Sequence, residues 1–173
     1  GTADQLVPAA LDPQCLFDVL DKHRVDYVLI GGLAAVLHGS TAMTNDADIL
    51  PDAEAPNLDR LGAALGELEA RLRVDGDPDG VPFDPHPSLI ASMAMLKLTT
   101  RCGDLDLTFT PTGLDGYAGV RKRAATFEVG GLKIYVAALA DIIRSKTAAD
   151  RPKDHATLPI LHALQEEIDR HET

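Results

Sequence analysis

The sequence contains no tryptophan, and its only aromatic residues are three Tyr and four Phe among 173 positions. A core built on large rings is excluded, so Ala and Leu must fill the interior. Cysteine is almost as scarce: Cys15 and Cys102 match no metal-binding or redox spacing. Cys15 falls on an amphipathic stretch and reads as a small buried hydrophobe, and a cytoplasmic, reducing location is expected. There is no run of about 18 apolar residues, which excludes a membrane-spanning helix, so no membrane partner is expected. No secretory signal is expected either. Positive charge is also in short supply, with 16 Lys and Arg against 27 Asp and Glu, a formal net charge of −11. That balance argues against holding nucleic acid by bulk electrostatics, and no DNA partner is expected. The length predicts one domain over residues 1–173, with a core at about 12–136 and C-terminal helices at about 138–170.

What is present is concentrated at 27–50, YVLIGGLAAVLHGSTAMTNDADIL. An apolar run leads to Gly31-Gly32, a short apolar segment, His38-Gly39-Ser40, and then Asp46-Ala47-Asp48. The order reads as strand, tight turn, short helix, a loop of glycine and hydroxyls, and a strand that opens on two carboxylates. Residues two apart on a strand share a face, so Asp46 and Asp48 project together. Two carboxylates side by side repel unless a cation lies between them. Hard oxygen ligands of this kind suit Mg²⁺ in company with substrate phosphates.

The rest of the chain alternates helical and strand patterns. Asp12-Pro13 reads as an N-cap and first helical position, and the helix runs to about residue 22. Leucines three and four apart predict a helix over 57–72, with Arg71 and Arg73 continuing its polar face. Residues 74–88 predict a loop with room for an edge strand. The alternating Asp75, Asp77 and Asp79 do not make a calcium loop, because His86 stands where the bidentate Glu should be. Strands are predicted over 94–100 and 104–110, and the alternation DLDLTFT puts Asp104 and Asp106 on one face. A helix over 114–125, a hairpin turning at Gly130-Gly131, and a helix over 138–148 follow. The last helix is expected over 153–170, with Pro159 kinking it or splitting its first turn. Residues 121–155 hold eight Lys and Arg against four acids, a local +4 that leaves −15 on the remainder. A polyanionic substrate is expected to meet this C-terminal third.

A Gly-Ser pair followed by Asp-x-Asp on the next strand resembles the nucleotidyltransferase superfamily of DNA polymerase β. The resemblance implies an α/β (α+β) fold, a polymerase-β-type palm with a short mixed sheet backed by helices and a C-terminal helical segment. It implies that Gly39, Ser40 and Thr44 serve the triphosphate of an NTP. Asp46 and Asp48 then hold two divalent ions, Mg²⁺ with Mn²⁺ as a substitute, of the kind that sit about 3.5–4 Å apart in two-metal sites. Asp106 matches the third carboxylate of the family, and Asp104 on the same face is the alternative. Further on, DIIRSKTAADRPKD at 141–154 looks like the ending of minimal nucleotidyltransferases, especially the AbiEii-like (MenT-like) type IV toxins. By that likeness Lys146 and Asp154 complete a catalytic set with Asp46, Asp48 and Asp106, and Lys146, Arg151 and Lys153 meet phosphate. One position departs from the pattern His-Gly-x-x-Arg-x-Thr-x-Asp-x-Asp: Ala42 stands in the place of the Arg. Either Arg101 or a residue of the basic third is expected to replace it, or catalysis is weak.

The function this implies is metal-dependent transfer of nucleotides from an NTP to an RNA acceptor, the tRNA 3′ end, by a toxin held in check by a cognate antitoxin protein. Two further readings stand beside it. Transfer to a small molecule or a protein is favoured by the net charge of −11. A non-catalytic, palm-like antitoxin or regulatory module is favoured by Ala42.

Overall fold

The computed structural model describes residues 9–172. Helix α1 (Pro13–Lys22) starts as expected, with the Asp12 carboxylate accepting from the Cys15 backbone N–H at 3.1 Å and Pro13 in the first turn. It buries Leu16, Phe17, Val19 and Leu20. Strand β1 (Tyr27–Ile30) is buried at all four positions, so the sheet is covered on both faces here. Helix α2 (Gly31–Leu37) follows with no turn between, and the predicted Gly31-Gly32 turn is instead the opening of this helix. Strand β2 (Asp46–Pro51) begins at the first carboxylate, as the pattern required.

The leucine repeat carries helix α3 (Ala55–Glu67) only as far as Leu68. Glu69 turns left-handed at φ 54°, and the chain leaves as strand β3 (Arg71–Val74). Pairing overrides the helical spacing here, because Leu72 sits opposite Leu98 on one side and Val81 on the other. The predicted loop thus contains a hairpin, β3 with β4 (Asp77–Val81), joined by Asp75-Gly76, and a short helix α4 (Pro87–Ala91). Strands β5 (Met95–Thr100) and β6 (Gly103–Thr108) form the predicted antiparallel pair. Helix α5 (Tyr117–Arg123) leads to the hairpin of β7 (Ala125–Val129) and β8 (Leu132–Val136). Its Gly130 and Gly131 both take positive φ, 55° and 84°, which a two-residue turn of this hand requires. Helix α6 (Leu139–Ala149) ends on left-handed Asp150, and α7 (Pro152–Glu172) runs through Pro159 without splitting.

The eight strands form one mixed sheet in the order β4-β3-β5-β6-β2-β1-β8-β7, wider than the short sheet expected. Only β2 with β6 and β1 with β8 are parallel. The parallel pair β2–β6 lies at the centre, with Asp46 beside Asp104 and Asp48 beside Asp106. Ala47, Ile49, Leu105 and Leu107 point the other way and are buried. Asn57 pins the outer end of the neighbouring pair. Its amide donates to the carbonyls of Asp26 and Asp52 at 2.9 and 2.7 Å, and its carbonyl accepts from the Asp26 N–H at 2.7 Å. Among the described residues no helix is long and apolar enough to cross a membrane.

The expectation of an unpaired Cys15 is corrected: Cys15 on α1 is joined to Cys102 at the turn before β6. The bridge closes a span of 87 residues, which no local spacing could reveal. Closing a long loop restricts the unfolded chain, on the order of 2–4 kcal/mol. Dithiothreitol is therefore expected to lower the wild-type melting midpoint and to leave a Cys15→Ala, Cys102→Ala double variant unmoved. Identical wild-type melting with and without reductant would show two free thiols.

Candidate active site

The sheet register brings three of the predicted residues together. Asp46, Asp48 and Asp106 each offer a carboxylate oxygen within 4.8 Å of the others. Asp106, not Asp104, completes the set, and it is only 7% exposed. Gly31 makes room for it all: its φ is +73°, and a Cβ there would lie 2.3 Å from an Asp48 carboxylate oxygen. Burial, then the charges of Asp46 and Asp106, push the Asp48 carboxyl up to about 7. Burial raises Asp106 too, against the pull of Arg73.

Arg73 is the residue that sequence reasoning misplaced. It lies on β3, and its guanidinium crosses β5 to reach Asp106 at 2.7 Å and Asp104 at 3.3 Å. It also donates to the Leu98 carbonyl at 3.1 Å. The available signal was RLRV followed by Asp75-Gly76, a strand alternation running into a hairpin turn. Lys97 was not singled out either. It sits on β5 directly opposite Asp106 and projects from the same face.

The residues of the expected phosphate loop divide. Ser40 lines the cleft, is 8% exposed, and accepts from the Ala42 N–H at 3.2 Å, which leaves its own proton free to donate. The Thr44 hydroxyl donates to the Asp46 carbonyl at 3.0 Å and so closes the loop onto β2. Gly39 does not line the cleft; its φ is +113° and it backs onto Leu164 of α7. His38 anchors the end of α2 by bonding the Ala137 carbonyl at 2.8 Å.

The C-terminal helices bring the predicted cations to the opposite rim. Lys146, Arg151 and Lys153 line the cleft. Asp154 does not: it is fully buried, 2.7 Å from Arg151 and 3.6 Å from Lys146. Burial works to raise its carboxyl, but the bonds from the Arg151 side chain and backbone bring it below the usual range. Asp154 thus holds two rim cations from behind and does not itself face the cleft. Arg101, one of the expected replacements for the missing loop arginine, is elsewhere, bonded to the Glu67 carbonyl and near both cysteine sulfurs. The cations near the carboxylates are instead Arg73 and Lys97 from the sheet and three residues of the basic third. The cleft they enclose measures about 720 Å³.

Three mutually repelling oxygen donors of this hardness fit a divalent cation, and Asp46, Asp48 and Asp106 are the residues that would hold it. The fold agrees with such chemistry. The family described as "Nucleotidyltransferase of unknown function (DUF6036)" matches residues 14–170. No curated protein matches the sequence. Among solved structures, the chain is similar to the lincosamide antibiotic adenylyltransferase LnuA in its lincomycin-bound form, with 16% identity and a TM-score of 0.59 over 90% of this chain and 99% of that one. A putative nucleotidyltransferase from Thermotoga maritima gives 16% identity and a TM-score of 0.55 over 87% and 94%. The antibiotic-resistance factor ANT(2'')-Ia gives 14% and 0.50 over 91% and 89%. At these identities the likeness shows the fold: an open mixed sheet backed by helices, of the nucleotidyltransferase type.

The folded protein without metal holds the Asp48 proton more tightly than the unfolded chain does. The stability this adds is full below the ordinary carboxylate range and is lost as pH rises through about 7. In chelator, the melting midpoint is therefore expected to fall between pH 5 and 8. Asp48→Asn is expected to flatten that slope and to stabilise the protein at pH 8 by about 1–3 kcal/mol, after allowance for partial exposure. A wild-type midpoint indifferent to pH, or an Asp48→Asn variant less stable at pH 8, would refute a repelling triad.

Proposed function

The chain belongs to the DUF6036 nucleotidyltransferase family, and from that premise we propose that it transfers a nucleotidyl group from an NTP to a hydroxyl of a small molecule. The observation that carries this reading is the charge and size of the cleft. Five cations (Arg73, Lys97, Lys146, Arg151, Lys153) and three carboxylates line it, a local +2 in a chain of net −11. A volume of about 720 Å³ suits an NTP with a small acceptor. The fold neighbours point the same way by name, one an adenylyltransferase of lincosamides and one described in complex with adenylyl-2"-tobramycin.

In this reading Asp46, Asp48 and Asp106 hold Mg²⁺, two ions being expected, with Mn²⁺ as a substitute. Bound there, divalent cations neutralise phosphate oxygens and lower the pKa of an attacking hydroxyl. The other roles belong to the chain. Lys146 and Arg151, aimed by Asp154, and Lys153 beside them hold the triphosphate as point and fork charges. Ser40 donates its free proton to a phosphate oxygen. Thr44 and Gly39 shape the loop. Arg73 fixes the carboxylate of Asp106. The chain works as a single nucleotidyltransferase domain, with the 12–136 core supplying the carboxylates and the 138–170 helices most of the cations.

A second reading keeps an RNA acceptor, the tRNA 3′ end, and a toxin paired with a cognate antitoxin. It is supported by the motif at 141–154 and by a cationic, aromatic patch outside the cleft. There the Arg121 guanidinium lies 3.4 Å from the centre of the Tyr135 ring, with Lys133 at 5.2 Å. Stacked cations of this kind suit single-stranded RNA. The two readings separate when the protein is incubated with α-labelled NTPs, Mg²⁺, hydroxylated small molecules and total tRNA. Label on small molecules is expected; label confined to tRNA would favour the second reading, and no label with any acceptor would favour a non-catalytic module.

Asp46→Ala is expected to abolish transfer while the fold persists, and wild-type rates from it would end the metal-site reading. Lys146→Ala is expected to raise the KM for NTP about ten- to a hundred-fold, as the loss of a charged phosphate contact worth roughly 1.5–3 kcal/mol. An unchanged KM would move Lys146 to the acceptor side.

A further inference from the structure

We propose that the acceptor is a small hydroxyl compound carrying a carboxylate or phosphate, recognised by Lys97. This rests on reading the cleft as a nucleotidyl-transfer site. The first observation is a lack. Among the described residues the only acids lining the cleft are Asp46, Asp48 and Asp106, which would hold the metal ions. Among the described residues no further carboxylate lines the cleft to receive a cationic acceptor, so a polyamine would enter unpaired, beside five cations.

The second observation is where the cations stand. Arg151 acts on both Asp46 and Asp48, and Lys153 on Asp48, at the end of the site served by α7. Lys97 stands apart from them on β5, directly across from Asp106. It is exposed and, though its charge acts on Asp106 across the strand pair, it forms no hydrogen bond or ion pair among the described residues, whereas its neighbour Arg73 is already held by Asp104, Asp106 and the Leu98 carbonyl. A triphosphate held by Lys146, Arg151 and Lys153 leaves Lys97 for a second anion. Met95 lies two residues before Lys97 on the same face and is 48% exposed, and Met43 at the loop rim is 94% exposed. Both line the cleft and give the uncharged body of the acceptor an apolar surface.

The step balances without a further reactant. The acceptor hydroxyl oxygen forms a bond to the α-phosphorus, the bond from that phosphorus to the α–β bridging oxygen breaks, pyrophosphate leaves, and the hydroxyl proton passes to solvent.

The test uses the full chain with Mg²⁺ and α-labelled NTP. The acceptors are glycerol 3-phosphate, glucose 6-phosphate and 3-phenyllactate as anions, glucose and 2-phenylethanol as neutral partners, tobramycin as a polycation, and total RNA. Equilibrium dialysis of labelled NTP with Mg²⁺ is run in parallel. Label is expected on one or more of the anions in preference to the neutral compounds, and none on tobramycin. Lys97→Met, which removes the charge without adding a carboxylate beside the triad, should raise the KM of the anionic acceptor about ten- to a hundred-fold with a smaller change in NTP affinity, and Lys97→Arg should keep that KM near the wild-type value. Label on tobramycin, label on RNA alone, no label on any anion while NTP binding persists, or an unchanged KM in Lys97→Met would each overturn the assignment. Absence of Mg²⁺-dependent NTP binding in the wild type would bring down the underlying reading, and this one with it.

Discussion

Mutual repulsion among Asp46, Asp48 and Asp106 is the constraint around which the surrounding structure is arranged. One oxygen of each is held within 4.8 Å of the others, and the side chains would separate if the strands allowed it. They do not, because β2 and β6 are paired in register at the centre of the sheet. On the reverse face Ala47, Ile49, Leu105 and Leu107 are sealed in the core, so sliding one strand past the other would expose a buried row. Arg73 steadies Asp106 from the side, and the bare backbone of Gly31 leaves room for the Asp48 carboxylate. The energy stored in the triad is what a divalent cation would release on binding.

The same economy sorts the charges elsewhere. The chain is acidic, yet its cleft is not, because other acids occupy the cations that do not serve it. Buried Asp141 receives Arg123 at 2.8 Å and Arg144 at 3.2 Å, and Glu67 receives Lys22 at 2.7 Å. Asp154 is the exception that serves the cleft indirectly, buried behind Arg151 and Lys146 and turning both toward it. A positive recess within an acidic surface focuses field and draws an anion inward while the rest of the molecule turns polyanions away. Such a recess fits the nucleotide site proposed above better than a broad nucleic-acid surface.

The loop between α2 and β2 shows how a departure from a pattern can be absorbed. With Ala42 in the place of an arginine, the loop offers the cleft no Lys or Arg of its own. Thr44 closes it onto the Asp46 carbonyl, and Ser40 takes the Ala42 N–H. Charge for the same space comes from strands β3 and β5, from α6 and from the start of α7, elements far away in sequence.

The sequence by itself determined whatever depends on near neighbours along the chain. Asp46 and Asp48 share a face because strand geometry has a period of two, and the same rule placed Asp104 beside Asp106. Asp12-Pro13 opened α1 and Gly130-Gly131 turned the last hairpin through local backbone chemistry alone. The basic third was legible as composition, but not which of its residues would reach the cleft. Tertiary structure decided the rest. Leucine spacing favoured a helix through Leu72, and pairing with β5 and β4 made it a strand, which sent Arg73 to Asp106. Cys15 met Cys102, and Asp106 rather than Asp104 joined the triad, because strand order and register bring together side chains that no local spacing relates. Local periodicity fixes which way a side chain points; only long-range pairing fixes what it points at.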